Sequence, residues 1–225
     1  MSAEPIQPTT RGRPPRVTAE RLRSALLAIE GEVPTMASLA AELGVGVATL
    51  YTHVRGQDEL RRLAGDVAFD AWELPPVEPG MHWSAWAYGY AMDARSMATR
   101  YPSVIAARAL AGGQLRYADR VLARFVDFGF SPDDALATFN AIVLIVLGVG
   151  AQLAAMRGEE IEAGKSGWDL FEDALTTQPD TLPVLGSLTP NALPDPEGAY
   201  GDLVWFTLCG IARRRGETLP AEPPA

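Results

Sequence analysis

Residues 35–63, TMASLAAELGVGVATLYTHVRGQDELRRL, hold the densest chemistry of the chain. Within them Val47, Ala48, Thr49, Tyr51, Thr52 and His53 bring methyl, hydroxyl and imidazole groups together, with no Arg, Lys, Asn or Gln from Val45 to Val54. Such groups can bond to phosphates and base edges and can touch a thymine methyl. They cannot make the bidentate contacts by which Arg reads guanine or Asn reads adenine. Arg55 is the nearest fixed positive charge, Gln57 follows it, and Thr35 stands at the start of the stretch. Upstream, Arg11-Gly12-Arg13-Pro14 forms a second basic element. Its glycine permits close approach, its proline keeps the backbone extended, and its arginines suit the negative potential of a narrow minor groove.

These groups need a frame. Ala40, Gly44 and Leu50 have the spacing of a helix-turn-helix: a small residue, a turn glycine and an apolar plug. Ala40 lets two helices approach, and Gly44 can take the positive φ that ends the first. Leu39, Leu43, Val45, Leu50 and Val54 supply the apolar face. Thr18 is placed to cap a preceding helix with Leu22, Leu26 and Ile29 inward, and Thr35 to cap the first helix of the motif. Asp58 and Glu59 open a further helix reaching about Trp72, where acidic groups suit the helix dipole.

The chain has 225 residues and a net charge of −9, too acidic for a protein that coats nucleic acid indiscriminately. The charge is uneven: residues 1–65 carry eight arginines against seven carboxylates, and the remainder eleven basic against twenty-one acidic groups. Only the first third would not be repelled by phosphates. The single Cys209 excludes an internal disulfide and a thiolate metal cluster. The first ten residues lack the apolar core of a signal peptide, so a cytoplasmic location is expected. Residues 135–156 hold no charge and have about the length of a membrane span. However, they contain Thr138, Asn140, Gly148, Gly150 and Gln152 and lack a flanking basic cluster. A helix apolar all round equally suits a helical core or a dimer seam, and no membrane association is expected. His82 adjoins a proline-rich stretch without a nucleophile elbow, a phosphate-cradling loop or metal-ligand spacing. It reads as a cap or linker residue, and no enzymatic activity, cofactor or metal is expected.

The domain pattern is a flexible arm over 1–17, a three-helix domain over 18–74, a larger helical domain over 81–216 and a disordered tail over 217–225. Pro75, Pro76, Pro79 and Gly80 mark the boundary. Beyond it, helices are expected over 83–100, 104–110, 115–128, 134–157 and 200–215, with the Ala111-Gly112-Gly113 run as a break. Residues 158–197 are Gly- and Pro-rich, with one helical stretch near 168–175. Ser131 and Pro132 open the long apolar helix. The fold class is all-α.

The run LGVGVATLYTHVRGQDEL resembles the DNA-binding signature of the tetracycline-repressor (TetR) family, through its Leu-Gly-Val turn, Thr49-Leu50-Tyr51, His53-Val54 and Asp58-Glu59-Leu60. The His-Val pair resembles the tetracycline-repressor branch itself. The resemblance is strong over about residues 18–72 and weaker to about 216. Arg11-Gly12-Arg13-Pro14 resembles the core of an AT-hook. The family resemblance implies a helix-turn-helix domain and a regulatory domain that dimerises through the helices over 134–157 and 200–215. It also implies a palindromic double-stranded DNA operator and a small-molecule effector. DNA contacts would come from Arg11, Arg13, Thr35, Val47, Ala48, Thr49, Tyr51, Thr52, His53, Arg55 and Gln57. The effector would lie among Trp86, Tyr90, Met97, Arg108, Phe125, Phe139 and Asn140. Members that sense tetracycline bind its magnesium through histidines, and none stands near Ala107 and Arg108 here. A small hydrophobic, aromatic or polycyclic ligand, with an anionic or carbonyl group facing Arg108, is expected instead. Control by a protein partner or by abundance, with no ligand, stays open as an alternative.

Overall fold

The computed structural model describes residues 17–101, 112–157, 173, 177 and 196–224, with the side chains of 149–157 and 196–198 excepted. The described residues form eight helices and no strand. They are α1 (Ala19–Ala28), α2 (Met36–Leu43), α3 (Val47–Leu50), α4 (Gln57–Ala71), α5 (Trp83–Arg100), α6 (Gly112–Asp127), α7 (Pro132–Arg157) and α8 (Pro196–Arg214). The arm, the helix expected over 104–110 and nearly all of residues 158–195 lie outside the described residues. No described helix is long and apolar enough to cross a membrane.

Two apolar cores meet on α4. The smaller one gathers Leu26, Leu39, Ala40, Leu43, Leu50 and Val54 around Leu60, Ala64 and Val67 of α4. The larger one begins with Phe69 and Trp72 at the other end of that helix. It continues through Trp86, Tyr90, Tyr117, Val121, Phe125, Ile142, Tyr200 and Leu208. Aromatic rings dominate it: Trp72 stacks on Tyr117 at 4.4 Å, and Trp86 meets Phe125 edge-on at 5.3 Å. Such pairs add about 0.5–1.5 kcal/mol each beyond the area they bury.

Three element boundaries differ from the sequence expectation. Helix α6 starts at Gly112 instead of 115, because its two glycines serve packing and not chain reversal. A Cβ on Gly113 would lie 2.6 Å from the Asp66 carbonyl oxygen, while the Gly113 N–H donates to Asp66 Oδ1 at 2.9 Å. The missing side chain is what lets α6 begin against α4. Helix α8 starts at Pro196, four residues early, with proline in the first turn where its absent N–H costs nothing. The tail is also part of the fold at Glu217 and Leu219, the latter packed on the large core. Trp83 donates its indole N–H to Glu217, Arg215 donates to it at 2.9 Å, and the Arg215 guanidinium lies 3.8 Å from the Phe130 ring centre. The chain end is thereby fastened to the first turn of α5.

Desolvation raises the Glu217 pKa, but hydrogen bonds from Trp83 and Arg215, with the charges of Arg215 and His82, outweigh it and hold the carboxyl below its ordinary value. The latch therefore contributes stability above pH 4.5, the ordinary value, and loses it as pH falls through the lowered folded value. Thermal unfolding should show Glu217→Gln less stable than the parent at pH 7, with a gap that closes in acid. A gap independent of pH would rule out the charged latch. Gly113→Ala should cost about 1–3 kcal/mol by overpacking, lowering the thermal midpoint by roughly 2–10 °C; an unchanged midpoint would contradict the close approach.

Candidate nucleic-acid interface and its coupling to the helical body

The turn between α2 and α3 is built by short-range rules. Gly44 sits at φ 66°, and its N–H and that of Val45 return to the carbonyls at the end of α2. Ala40, Leu50 and Val54 are buried beneath it, which fixes the two helices against α1 and α4. The N-terminus of α2 is closed by a reciprocal cap: Ser38 N–H donates to Thr35 Oγ1 at 3.0 Å and Thr35 N–H to Ser38 Oγ at 2.9 Å. At its other end Arg21 donates to the Leu43 carbonyl at 3.0 Å.

Helix α3 proper is a single turn. Its hydrogen-bond ladder continues from Tyr51 to Val54 through bonds to Val47, Thr49 and Leu50 carbonyls. Val47, Ala48, Thr49, Tyr51, Thr52, His53 and Arg55 are all exposed on one continuous surface, with Leu50 and Val54 fully buried behind them. Their capacities differ from the expectation at three positions. Thr52 donates its hydroxyl to the Thr49 carbonyl at 2.7 Å. The Thr35 hydroxyl belongs to the cap. Gln57, half-buried, donates from Nε2 to the carbonyl of the buried Pro34 at 2.6 Å, tying the start of α4 to the loop before α2. Arg11 and Arg13 lie outside the described residues.

Two sets of contacts join this domain to the helical body. Along α4, Asp66 caps the start of α6, and Asp70 accepts from Arg116 at 2.9 Å while Arg23 of α1 lies 3.9 Å away. Arg120 donates to the Phe69 and Trp72 carbonyls at 3.2 and 3.1 Å, filling the bare end of α4. The second set joins α1 to the end of α5. Gly31 N–H donates to the Arg100 carbonyl at 2.8 Å, the Tyr101 hydroxyl donates to the Leu27 carbonyl at 3.3 Å, and Arg100 pairs with Glu30. That hydrogen bond from Arg100, with its charge, holds the Glu30 carboxyl below its ordinary pKa. Sequence reasoning missed these ties. The i, i+4 pairs Asp66/Asp70 and Arg116/Arg120 are visible in the chain, but not that they face each other.

Of the residues expected around an effector, Trp86, Tyr90 and Phe125 are fully buried in the aromatic core, and Met97 and Phe139 pack on it half-buried. Asn140 does not join them. It is exposed on α7 in a row with Leu136, Leu144 and Leu147, because i, i+4 spacing carries it to the outer face. Arg108 lies outside the described residues. Burial raises the Tyr90 and Tyr117 hydroxyls far above the ordinary phenol range, so both stay protonated. The two approach each other, yet the Tyr117 hydroxyl lacks a fully formed hydrogen bond among the described residues, as does the buried Trp205 indole N–H.

No family model and no curated protein matches the sequence. Solved structures do match the fold. ActR from Streptomyces coelicolor, a TetR family protein in complex with actinorhodin, is 23% identical, with a TM-score of 0.66 over 90% of this chain and 98% of that one. Its complex with (S)-DNPA matches at 21% identity, TM-score 0.65, over 88% and 98%. A TetR variant from Acinetobacter baumannii AYE in complex with minocycline matches at 16% identity, TM-score 0.59, over 88% and 98%. The fold is that of TetR-family structures.

Replacing Gln57 with Ala should leave the Pro34 carbonyl buried and unsatisfied, at about 1–3 kcal/mol. Gln57→Glu should lose more, since a carboxylate cannot donate there. Thermal midpoints of the two variants equal to the parent's would refute this clamp.

Proposed function

We propose that this chain is a TetR-family transcriptional regulator: a homodimeric repressor, cytoplasmic and not an enzyme, that leaves a palindromic operator when a small aromatic effector binds. The observation that carries the reading is α4. Its first half closes the core beneath the exposed α3 surface, and its second half is built into the aromatic core of the body. A shift in the body must therefore reposition the surface that would meet DNA.

Dimerisation is supported by the outer faces of α7 and α8. Leu136, Leu144 and Leu147 on one and Leu203 and Phe206 on the other are exposed, Leu144 and Phe206 each at 69%. A two-fold dimer through that face would suit an operator of two half-sites about one DNA turn apart, roughly 34–36 Å. An effector is supported by the buried Tyr117 hydroxyl and Trp205 indole N–H, neither of which has a fully formed hydrogen bond among the described residues and each of which an acceptor on a ligand would satisfy. It is also supported by the ligands in the matching structures, actinorhodin and minocycline. Trp86, Tyr90, Met97, Phe125 and Phe139 would provide the apolar surround, with Arg108 facing a polar edge of the ligand. Within α3, Thr49, Tyr51 and His53 would supply single hydrogen bonds, Arg55 a phosphate contact, and Arg11 and Arg13 a minor-groove arm. Control is energetic: only a ligand that binds the two arrangements of the body unequally can shift their balance.

Mobility shift with footprinting on the chain's own upstream DNA, at several salt concentrations, tests the reading. A two-fold symmetric footprint is expected, abolished by Tyr51→Ala, weakened by joint replacement of Arg11 and Arg13, and steeply salt-dependent. A panel of polycyclic aromatics should contain compounds that raise the thermal midpoint and release the DNA. Release without a ligand-dependent thermal shift would favour control by a protein partner, and the absence of any specific footprint would remove the DNA-binding reading.

A further inference from the structure

We infer that α3 reads its half-site chiefly through thymine methyl groups, met by Val47 and Ala48; this rests on the DNA-binding reading above and names the base chemistry of that site. Within the described part of the first domain, residues 17–72, the large apolar side chains left exposed are Val47, at 40%, and Tyr51, at 54%. Both lie on the α3 surface, beside the exposed Ala48. The same turn buries Leu50 and Val54 completely, so Val47 is not exposed for want of an interior to enter. An apolar group held outward at this place is suited to an apolar group on the DNA.

The hydrogen-bonding inventory points the same way. Thr52 spends its donor on the Thr49 carbonyl, Thr35 and Ser38 spend theirs on the cap of α2, and Gln57 is held to the Pro34 carbonyl by one N–H of its amide. Helix α3 carries no acidic residue in its first turn and no basic residue in its last. What remains for the bases is single-point bonding from Thr49, Tyr51 and His53, which discriminates weakly. In the major groove the feature that an aliphatic side chain can distinguish is the C5-methyl of thymine. A face headed by valine and alanine matches that group, and its hydroxyls and imidazole give a G·C pair only single hydrogen bonds.

The test uses the full chain and a duplex enriched from a random-sequence pool. Each thymine of the selected half-site is replaced in turn by deoxyuridine, which keeps the pairing and the O4 acceptor and removes only the methyl. Uracil at one or two thymines per half-site should weaken binding about fourfold each, the worth of one buried methyl. Val47→Ala should shrink that penalty at one of them. Affinity unchanged by uracil at every position would overturn the inference while leaving the DNA-binding reading intact. A pool with no enriched sequence would overturn both.

Discussion

Helix α4 has no side of its own. Leu60 and Ala64 belong to the core beneath α3, Phe69 and Trp72 to the aromatic core of the body, and Asp66 and Asp70 hold the first turns of α6. Close-packed interiors do not deform continuously. A helix clamped in two of them either stays where both want it or moves with one and drags the other. The rest of the molecule follows from that constraint: the exposed α3 surface is linked rigidly, through α4, to the aromatic core of the body.

The second tie makes the linkage two-point. Gly31, Leu27 and Glu30 at the end of α1 are bonded to Arg100 and Tyr101 at the end of α5. With α4 fastened to α6, the small domain is gripped at two places on the body, and a change that lengthens one grip and not the other would rotate it. The α4–α6 grip includes the Arg116–Asp70 pair and the Arg120 bonds to the end of α4. The Glu30–Arg100 pair is exposed and worth little by itself. The backbone bond from Gly31 and the buried rings around Trp72 carry the load.

The sequence showed the local features and hid the long-range ones. Thr18, Thr35, Gly44, Ser131 and Pro132 act within four residues of themselves, so their roles as caps and stops could be read directly, and the structure has them so. The buried positions Leu39, Leu50 and Val54 followed from periodicity alone. Gly113 was misread because a glycine pair in a chain looks the same whether it breaks a helix or admits a neighbouring backbone; only Asp66, forty-seven residues away, distinguishes the two. Asn140 was misplaced for the opposite reason. Its helix is apolar nearly all round, so the pattern of polarity could not say which side faces out. Glu217 and Leu219 were taken for tail because their partners, Trp83 and the large core, lie far upstream in the chain.

The uneven charge has a consequence for how such a molecule would spend its time in a cell. Residues 66–225 carry ten more acidic than basic groups, whereas residues 1–65 carry one more basic than acidic. A duplex approaching from most directions meets a repulsive field, and only one end of the molecule is tolerated. Weak attachment to arbitrary sequence follows, since that attachment is set by phosphate neutralisation. On the proposed DNA-binding reading, such a protein would not be stored along the chromosome and would do little one-dimensional sliding. It would search through solvent, leaving most copies free at any moment to meet whatever diffuses in from outside.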